Sequence, residues 1–247
     1  MAKKVAIITG ASSGIGLAIA KHLQVEGYTS ICWDIKAPTE PGIPFYHCDV
    51  SQEASVKAAY AKVKAEHGAC TVLINNCGLQ FLSPIEDFPT DKWNTLIGVL
   101  LTGTFLCSRE VFTDMKASKF GRIVNISSIH GKVASPFKAA YVSAKHGVLG
   151  LAKVIALEGA EHGITVNSIC PGFVDTPLMR NQVKSQMELN NLSEQEVLNK
   201  IFLKDQCIKE LTSVDQVASL VSYLISPGAS NITGEALNMT GGWGMGV

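Results

Sequence analysis

The run Val5, Ala6, Ile7 and Ile8, passing directly into Thr9-Gly10-Ala11-Ser12-Ser13-Gly14-Ile15-Gly16, limits this chain more than any other stretch. A short unbroken apolar run is the form a strand takes when both its faces are buried, as in a parallel sheet. The glycines then permit a tight turn. A helix follows, with Ile15, Ile19 and Leu23 on one face and a stop near Gly27. Gly10, Gly14 and Gly16 let backbone approach a pyrophosphate closely, with Ser12, Ser13 and Ile15 completing the turn. The helix N-terminus supplies free N–H groups and a partial positive charge. Strand, glycine turn and helix together point to an α/β fold that holds a dinucleotide.

The remaining chain continues that alternation. Thr29 to Ile35 reads as a second strand, carrying Asp34 at its end. An acid about 20 residues past the glycines is placed to accept hydrogen bonds from a ribose diol and to repel a 2′-phosphate. The neighbours are Ile35, Lys36 and Ala37, with no Arg, so NAD is favoured over NADP. Ile43 to Cys48 reads as a third strand and leads into Asp49 and Val50. Asp49 either meets the adenine amino group or caps the next helix. Ser51 reads as the N-cap of that helix, with Glu53 in its first turn and an end near His67. Thr71 to Ile74 is a fourth strand. Asn75-Asn76-Cys77-Gly78 follow at its C-terminal end, where a cofactor lies in an open α/β sheet. Thr90 caps a long helix through Trp93, Leu96, Val99, Leu100 and Phe105.

Arg122 to Ile126 is a fifth strand, a helix runs from Tyr141 to about His162, and Ile164 to Cys170 is a sixth strand ending at Pro171-Gly172. The polar section from Asp175 to Gln206 contains the capping box Ser193 to Glu196, a helical insertion placed to act as a lid. A second capping box, Ser213 to Gln216, starts a helix to about Ile225, and Glu235 to Met239 is the last strand. The expected architecture is α/β, a doubly wound parallel sheet (Rossmann fold). It forms a single domain over 1–247 with 175–206 as a small substrate-covering helical lid.

At 247 residues and zero formal net charge, with acids and bases interspersed, neither nucleic acid nor an anionic membrane is expected as a partner. No apolar run is expected to approach the ~20 residues that span a bilayer. The apolar run after Lys3 and Lys4 stops at Ile8, too short for a signal peptide. The seven cysteines lack CxxC or other metal-ligand spacing; they read as reduced thiols in a cytoplasmic protein, and no metal site is expected.

Tyr141 and Lys145 lie four apart and share a helical face, while Ser128 stands at the end of the fifth strand. An ammonium beside a phenol favours the phenolate and lowers its pKa from about 10. These three side chains form an acid–base site for a carbonyl–alcohol pair. The helix after Tyr141 is apolar around much of its circumference, as expected for burial against the sheet and another subunit.

Taken with Asp49, Asn75-Asn76-Cys77-Gly78, Tyr141-Val142-Ser143-Ala144-Lys145 and Pro171-Gly172, the chain resembles the short-chain dehydrogenase/reductase family over nearly its whole length. The resemblance implies that Tyr141 exchanges a proton with the substrate oxygen and that Ser128 hydrogen-bonds the same oxygen. Lys145 lowers the Tyr141 pKa and binds the nicotinamide ribose. It also implies cofactor contacts at Val50, Asn76, Gly78, Pro171, Gly172, Val174 and Thr176, and a homotetramer.

Within the family the chain resembles the D-3-hydroxybutyrate dehydrogenases, through Gln80, His130, Lys138, Gln182 and Trp243. That resemblance implies reversible, NAD-dependent oxidation of D-3-hydroxybutyrate to acetoacetate. Two amides, a His and a Lys would bind the small substrate's carboxylate through charge-assisted hydrogen bonds. A 3-oxoacyl carrier-protein reductase, a polyol dehydrogenase and a dinucleotide-binding protein with impaired catalysis remain as alternatives. The last rests on Val99-Leu100-Leu101-Thr102-Gly103, where Leu100 replaces an Asn that in the family helps hold a water in the proton relay. Phe173 replaces a Trp common in the subfamily and keeps an apolar wall.

Overall fold

The computed structural model describes residues 4–246. Among the described residues, seven parallel strands form one sheet in the order β3-β2-β1-β4-β5-β6-β7. The strands are β1 (Val5–Thr9), β2 (Thr29–Asp34), β3 (Phe45–His47), β4 (Val72–Asn75), β5 (Gly121–Ile126), β6 (Ile164–Pro171) and β7 (Ala236–Met239). Successive β1 side chains serve opposite faces. Val5 and Ile7 pack with Val56 and Val63 of α2 (Glu53–His67) and with Val111 of α4 (Gly103–Ser118). Ala6 and Ile8 pack with Ile19 and Leu23 of α1 (Gly14–Val25) and with Val217 and Val221 of α8 (Val214–Ile225). Helices on both faces are the reason the strand is apolar without alternation. The chain winds outward in one direction from β1 and in the other from β4, so a crevice opens between the carboxyl ends of these two strands.

Several boundaries differ from expectation for local reasons. Ser51 does not cap α2: its N–H and Oγ both donate to Asp49 Oδ1, at 3.0 and 2.7 Å, and Gln52 takes the N-cap position. The third strand shrinks to three residues at the sheet edge, pairing on one side with β2. Pro89 rather than Thr90 is the N-cap of α3 (Thr90–Ile97), and a π-turn, Gly98–Thr102, separates α3 from α4. α5 (Ala139–Gly159) begins two residues before Tyr141 and ends in a 3-10 turn through His162. Both capping boxes form, at Ser193 and at Ser213.

The helical spans Thr90–Ser118 and Ala139–His162, 29 and 24 residues, are long and apolar enough by length and composition to cross a membrane. This corrects the expectation of no such segment. Both pack on the sheet through Met115, Val111, Ala152 and Ala156. The insertion after β6 folds as α6 (Pro177–Asn190) and α7 (Glu194–Val197), with Met179, Val183 and Val197 buried between them. Arg180 ties the two through Asp175 and Glu194.

Candidate active site

The glycine turn closes the β1–β4 crevice from below. Gly10 and Gly14 hold φ of +66° and +55°, which side-chain-bearing residues rarely adopt. A Cβ on Gly16 would stand 2.4 Å from the Gly10 carbonyl oxygen and 2.5 Å from Asn76 Nδ2, so no larger residue fits. Asn76 clamps the turn, its Nδ2 donating to the carbonyls of Thr9 and Gly10 at 3.0 and 3.1 Å. Ser13 begins α1 without a side-chain cap, leaving the first-turn N–H groups for an anion. Asp34 ends β2 beside the turn: its Oδ2 accepts the Ser12 N–H at 3.1 Å and its Oδ1 the Lys36 N–H at 3.2 Å. Close backbone, free helix N–H groups and a carboxylate at the end of β2 are a donor set that fits a dinucleotide. Asp49 spends Oδ1 on the Ser51 turn, and Val50 packs against Gly103. A Cβ on Gly78 would make only ordinary contact, with the Asn76 carbonyl oxygen at 3.8 Å.

One cavity of about 700 Å³ unites the substrate residues with part of the cofactor set. Gln80, Ser128, His130, Lys138, Tyr141, Gln182 and Trp243 all line it, together with Ile15, Pro171, Gly172, Val174 and Thr176. Thr176 caps α6, accepting the Met179 N–H at 3.2 Å, and stands 3.7 Å from where a Gly14 Cβ would be. The base of the lid therefore meets the glycine turn.

Ser128 leaves β5 in extended backbone and caps a short 3-10 turn, its Oγ accepting the His130 N–H at 3.1 Å. Its hydroxyl also bonds Tyr141 and stabilises the phenolate, but burial outweighs this and raises the Tyr141 pKa above its usual value. The net shift is upward, opposite to the direction expected from Lys145 alone. Lys145 Nζ donates to the Ile126 carbonyl at 2.8 Å and stands 5.7 Å from the Tyr141 ring centroid. Burial brings the Lys145 pKa down to about 8, which still leaves the ammonium the major form at neutral pH.

Lys138 Nζ lies 2.9 Å from His130 Nε2. Burial first, then the Lys138 charge, brings His130 down to about 4, so near neutrality Nε2 is an acceptor and Lys138 donates to it. Rings continue the wall: His130 meets Tyr141 and Trp243 edge-on at 6.2 and 5.4 Å, Trp243 stacks on Phe173 at 5.8 Å, and Phe173 meets Phe202 at 5.3 Å. Leu100 is 1% exposed, packed with Ala140, Ala144 and Tyr141. Sequence reasoning missed Phe202 and the buried amide pair in which Asn75 Nδ2 donates to Asn125 Oδ1 and Ser108 Oγ. That pair joins β4 to β5 directly beneath the site, and the adjoining Asn-Asn pattern was its only signal.

A dinucleotide crevice beside a Ser–Tyr–Lys set is the arrangement of a nicotinamide-dependent oxidoreductase. The model of the short chain dehydrogenase family matches residues 4–187. The chain is 44% identical to a D-beta-hydroxybutyrate dehydrogenase of Rhizobium meliloti, over 97% of this chain and 98% of that one. It is 37% identical to an acetoacetyl-CoA reductase of Shinella zoogloeoides, over 97% and 98%. The structure of the ligand-free aldohexose dehydrogenase of Thermoplasma acidophilum superposes with a TM-score of 0.92 at 34% identity, covering 99% and 95% of the two chains. This chain belongs to the short-chain dehydrogenase family and is an oxidoreductase related to the D-beta-hydroxybutyrate dehydrogenases.

Proposed function

We propose that the protein oxidises D-3-hydroxybutyrate to acetoacetate reversibly with NAD. The observation that carries the reading is the Lys138–His130 pair, 2.9 Å apart in the same cavity as Ser128 and Tyr141. A bound nicotinamide supplies the hydride acceptor. Tyr141 takes the hydroxyl proton as the carbonyl forms, and Ser128 holds that oxygen in place. Lys138, held by His130 Nε2, pairs with the substrate carboxylate, while Gln80 and Gln182 add hydrogen bonds to it. Trp243 and Phe173 face its apolar end. Asp34 supports NAD over NADP, because a 2′-phosphate there would meet a carboxylate already held by two N–H groups.

The polar insertion over 175–206 acts as the lid over this single catalytic domain. The protein works as a homotetramer in the cytoplasm, α5 supplying part of the contact through the exposed Val154 and Leu157. Neither nucleic acid nor membrane is a partner in this reading.

The relationship to an acetoacetyl-CoA reductase favours one competing substrate class, the 3-oxoacyl thioesters. The test is NADH formation with D- and L-3-hydroxybutyrate, set beside reduction of acetoacetyl-CoA with NADH and NADPH. Turnover of the D acid with NAD, and weak activity on the thioester, is expected. Faster thioester reduction with NADPH, or no preference between enantiomers, would overturn the reading.

A further inference from the structure

Gln206 lies in the loop that returns from the lid to α8, yet it is 3% exposed. Its amide is wedged between two glycines from distant parts of the chain. A Cβ on Gly172 would stand 2.9 Å from Gln206 Oε1, and a Cβ on Gly241 would stand 2.9 Å from Gln206 Nε2. Gly172 immediately precedes Phe173, and Gly241 lies two residues before Trp243, and those two rings stack on each other.

The orientation of the amide is set by its partners. Nε2 donates to the carbonyls of Ile208 and Glu210 at 3.2 and 3.3 Å, whereas Oε1 is buried with no partner among the described residues. The same loop grips the tail through its backbone, the N–H groups of Cys207 and Ile208 donating to the Gly241 carbonyl at 2.7 and 2.9 Å. The tail is also bonded to the β6 exit, where the Gly172 N–H donates to Met239. A buried amide that forgoes a bond at Oε1 costs stability, and close packing of three segments at one side chain transmits any change in its shape.

We infer that Gln206 is a positioning residue: its amide is the spacer that sets the Phe173–Trp243 pair against His130, and so shapes the aromatic wall that the substrate's apolar end meets. This rests on the substrate reading above, but its structural half does not. The experiment uses two variants of the full chain. Gln206→Glu keeps the shape and turns an oxygen toward the two carbonyls that Nε2 now serves. Gln206→Met keeps the bulk and removes the donor without repulsion.

Steady-state kinetics are measured together with acrylamide quenching of tryptophan emission in a Trp93→Phe background, where Trp33 is fully buried and Trp243 reports. Gln206→Glu is expected to raise KM for D-3-hydroxybutyrate about ten- to a hundredfold. KM for NAD stays within twofold, and Trp243 becomes easier to quench. Gln206→Met moves both readouts the same way but less, and carries the test if the Glu variant does not fold. Equal rises in both KM values, or a lower melting temperature with Trp243 quenching unchanged, would overturn the proposal. If the wild type ignores D-3-hydroxybutyrate, the substrate reading fails, while the quenching series still decides the spacer role.

Discussion

At the glycine turn the chain meets its ligand with backbone, and one short segment does most of the work: Gly10, Gly14 and Gly16 within seven residues, clamped by Asn76 and flanked by Asp34. Around Ser128 the chain uses side chains, brought from the loop after β4 (Gln80), the loop after β5 (His130, Lys138), the lid (Gln182) and the tail (Trp243). Steric exclusion governs the first region, most tightly at Gly16, where no side chain fits. Charge, desolvation and ring contacts govern the second, so each residue there contributes a separable share. Among the described residues, the two halves meet at Ile15, Tyr141, Pro171, Gly172, Val174 and Thr176.

The sharpest way to break that contrast is Gly16→Ala. Its Cβ would collide with fixed backbone at 2.4 Å, so NADH binding by calorimetric titration should be lost and stability should fall by about 1–3 kcal/mol. Gly150→Ala in α5, where an added Cβ meets nothing within 4 Å, should instead stabilise by about 0.5–1 kcal/mol. Similar outcomes for the two variants would show that the turn is not sterically limited.

Tyr141→Phe should lower kcat by about 10²–10⁴ while leaving NADH affinity intact. A loss confined to KM would remove Tyr141 from the proton transfer. Because burial raises the phenol, the oxidation rate of the wild type should climb with pH across the neutral range. The reduction rate should not, since that direction uses the protonated phenol.

His130 titrates near 6.5 when unfolded and near 4 when folded, so between these values the unfolded chain binds more protons. The resulting stability is fully present above pH 6.5 and is lost as pH falls toward 4, a change on the order of 3 kcal/mol. Urea melts of the wild type and His130→Gln across that window should differ in slope. Parallel slopes would place the ring in solvent.

The smallest effect on turnover is expected at Leu100. Leu100→Asn places an amide in an apolar cluster and should cost about 1–3 kcal/mol in stability. It should raise kcat a few-fold by giving protons a polar path near Tyr141. An unchanged kcat would mean that protons leave by another route.

The parts of the molecule legible in sequence were those governed by local rules. Val5–Ile8 and the glycine turn carry their own steric logic, and Ser193 and Ser213 announce capping boxes that the fold contains. The cavity residues were legible only as separate points along the chain, matched to a family pattern. Their meeting depends on strand order and on where the tail returns.

What failed was competition between neighbours. Ser51 had an N-cap's identity, but Asp49 offered its donors a nearer acceptor. The π-turn at Gly98–Thr102 left an unbroken helical periodicity in sequence. Spacing placed Lys145 near Tyr141, but spacing does not reveal that the Ile126 carbonyl takes the ammonium or that burial sets the direction of the Tyr141 shift. Gln206 looked like the polar end of an insertion, because nothing local marks a side chain that two remote glycines enclose.

The central claim is that the second region recognises a carboxylate through Lys138. The most direct measurement is kcat/KM for D-3-hydroxybutyrate and for its neutral methyl ester, in the wild type and in Lys138→Met. Losing one charge-assisted hydrogen bond of about 1.5–3 kcal/mol predicts a fall of roughly 10- to 150-fold for the acid in the variant. The ester should change by less than threefold. Equal losses for acid and ester, or no loss for the acid, would contradict the account.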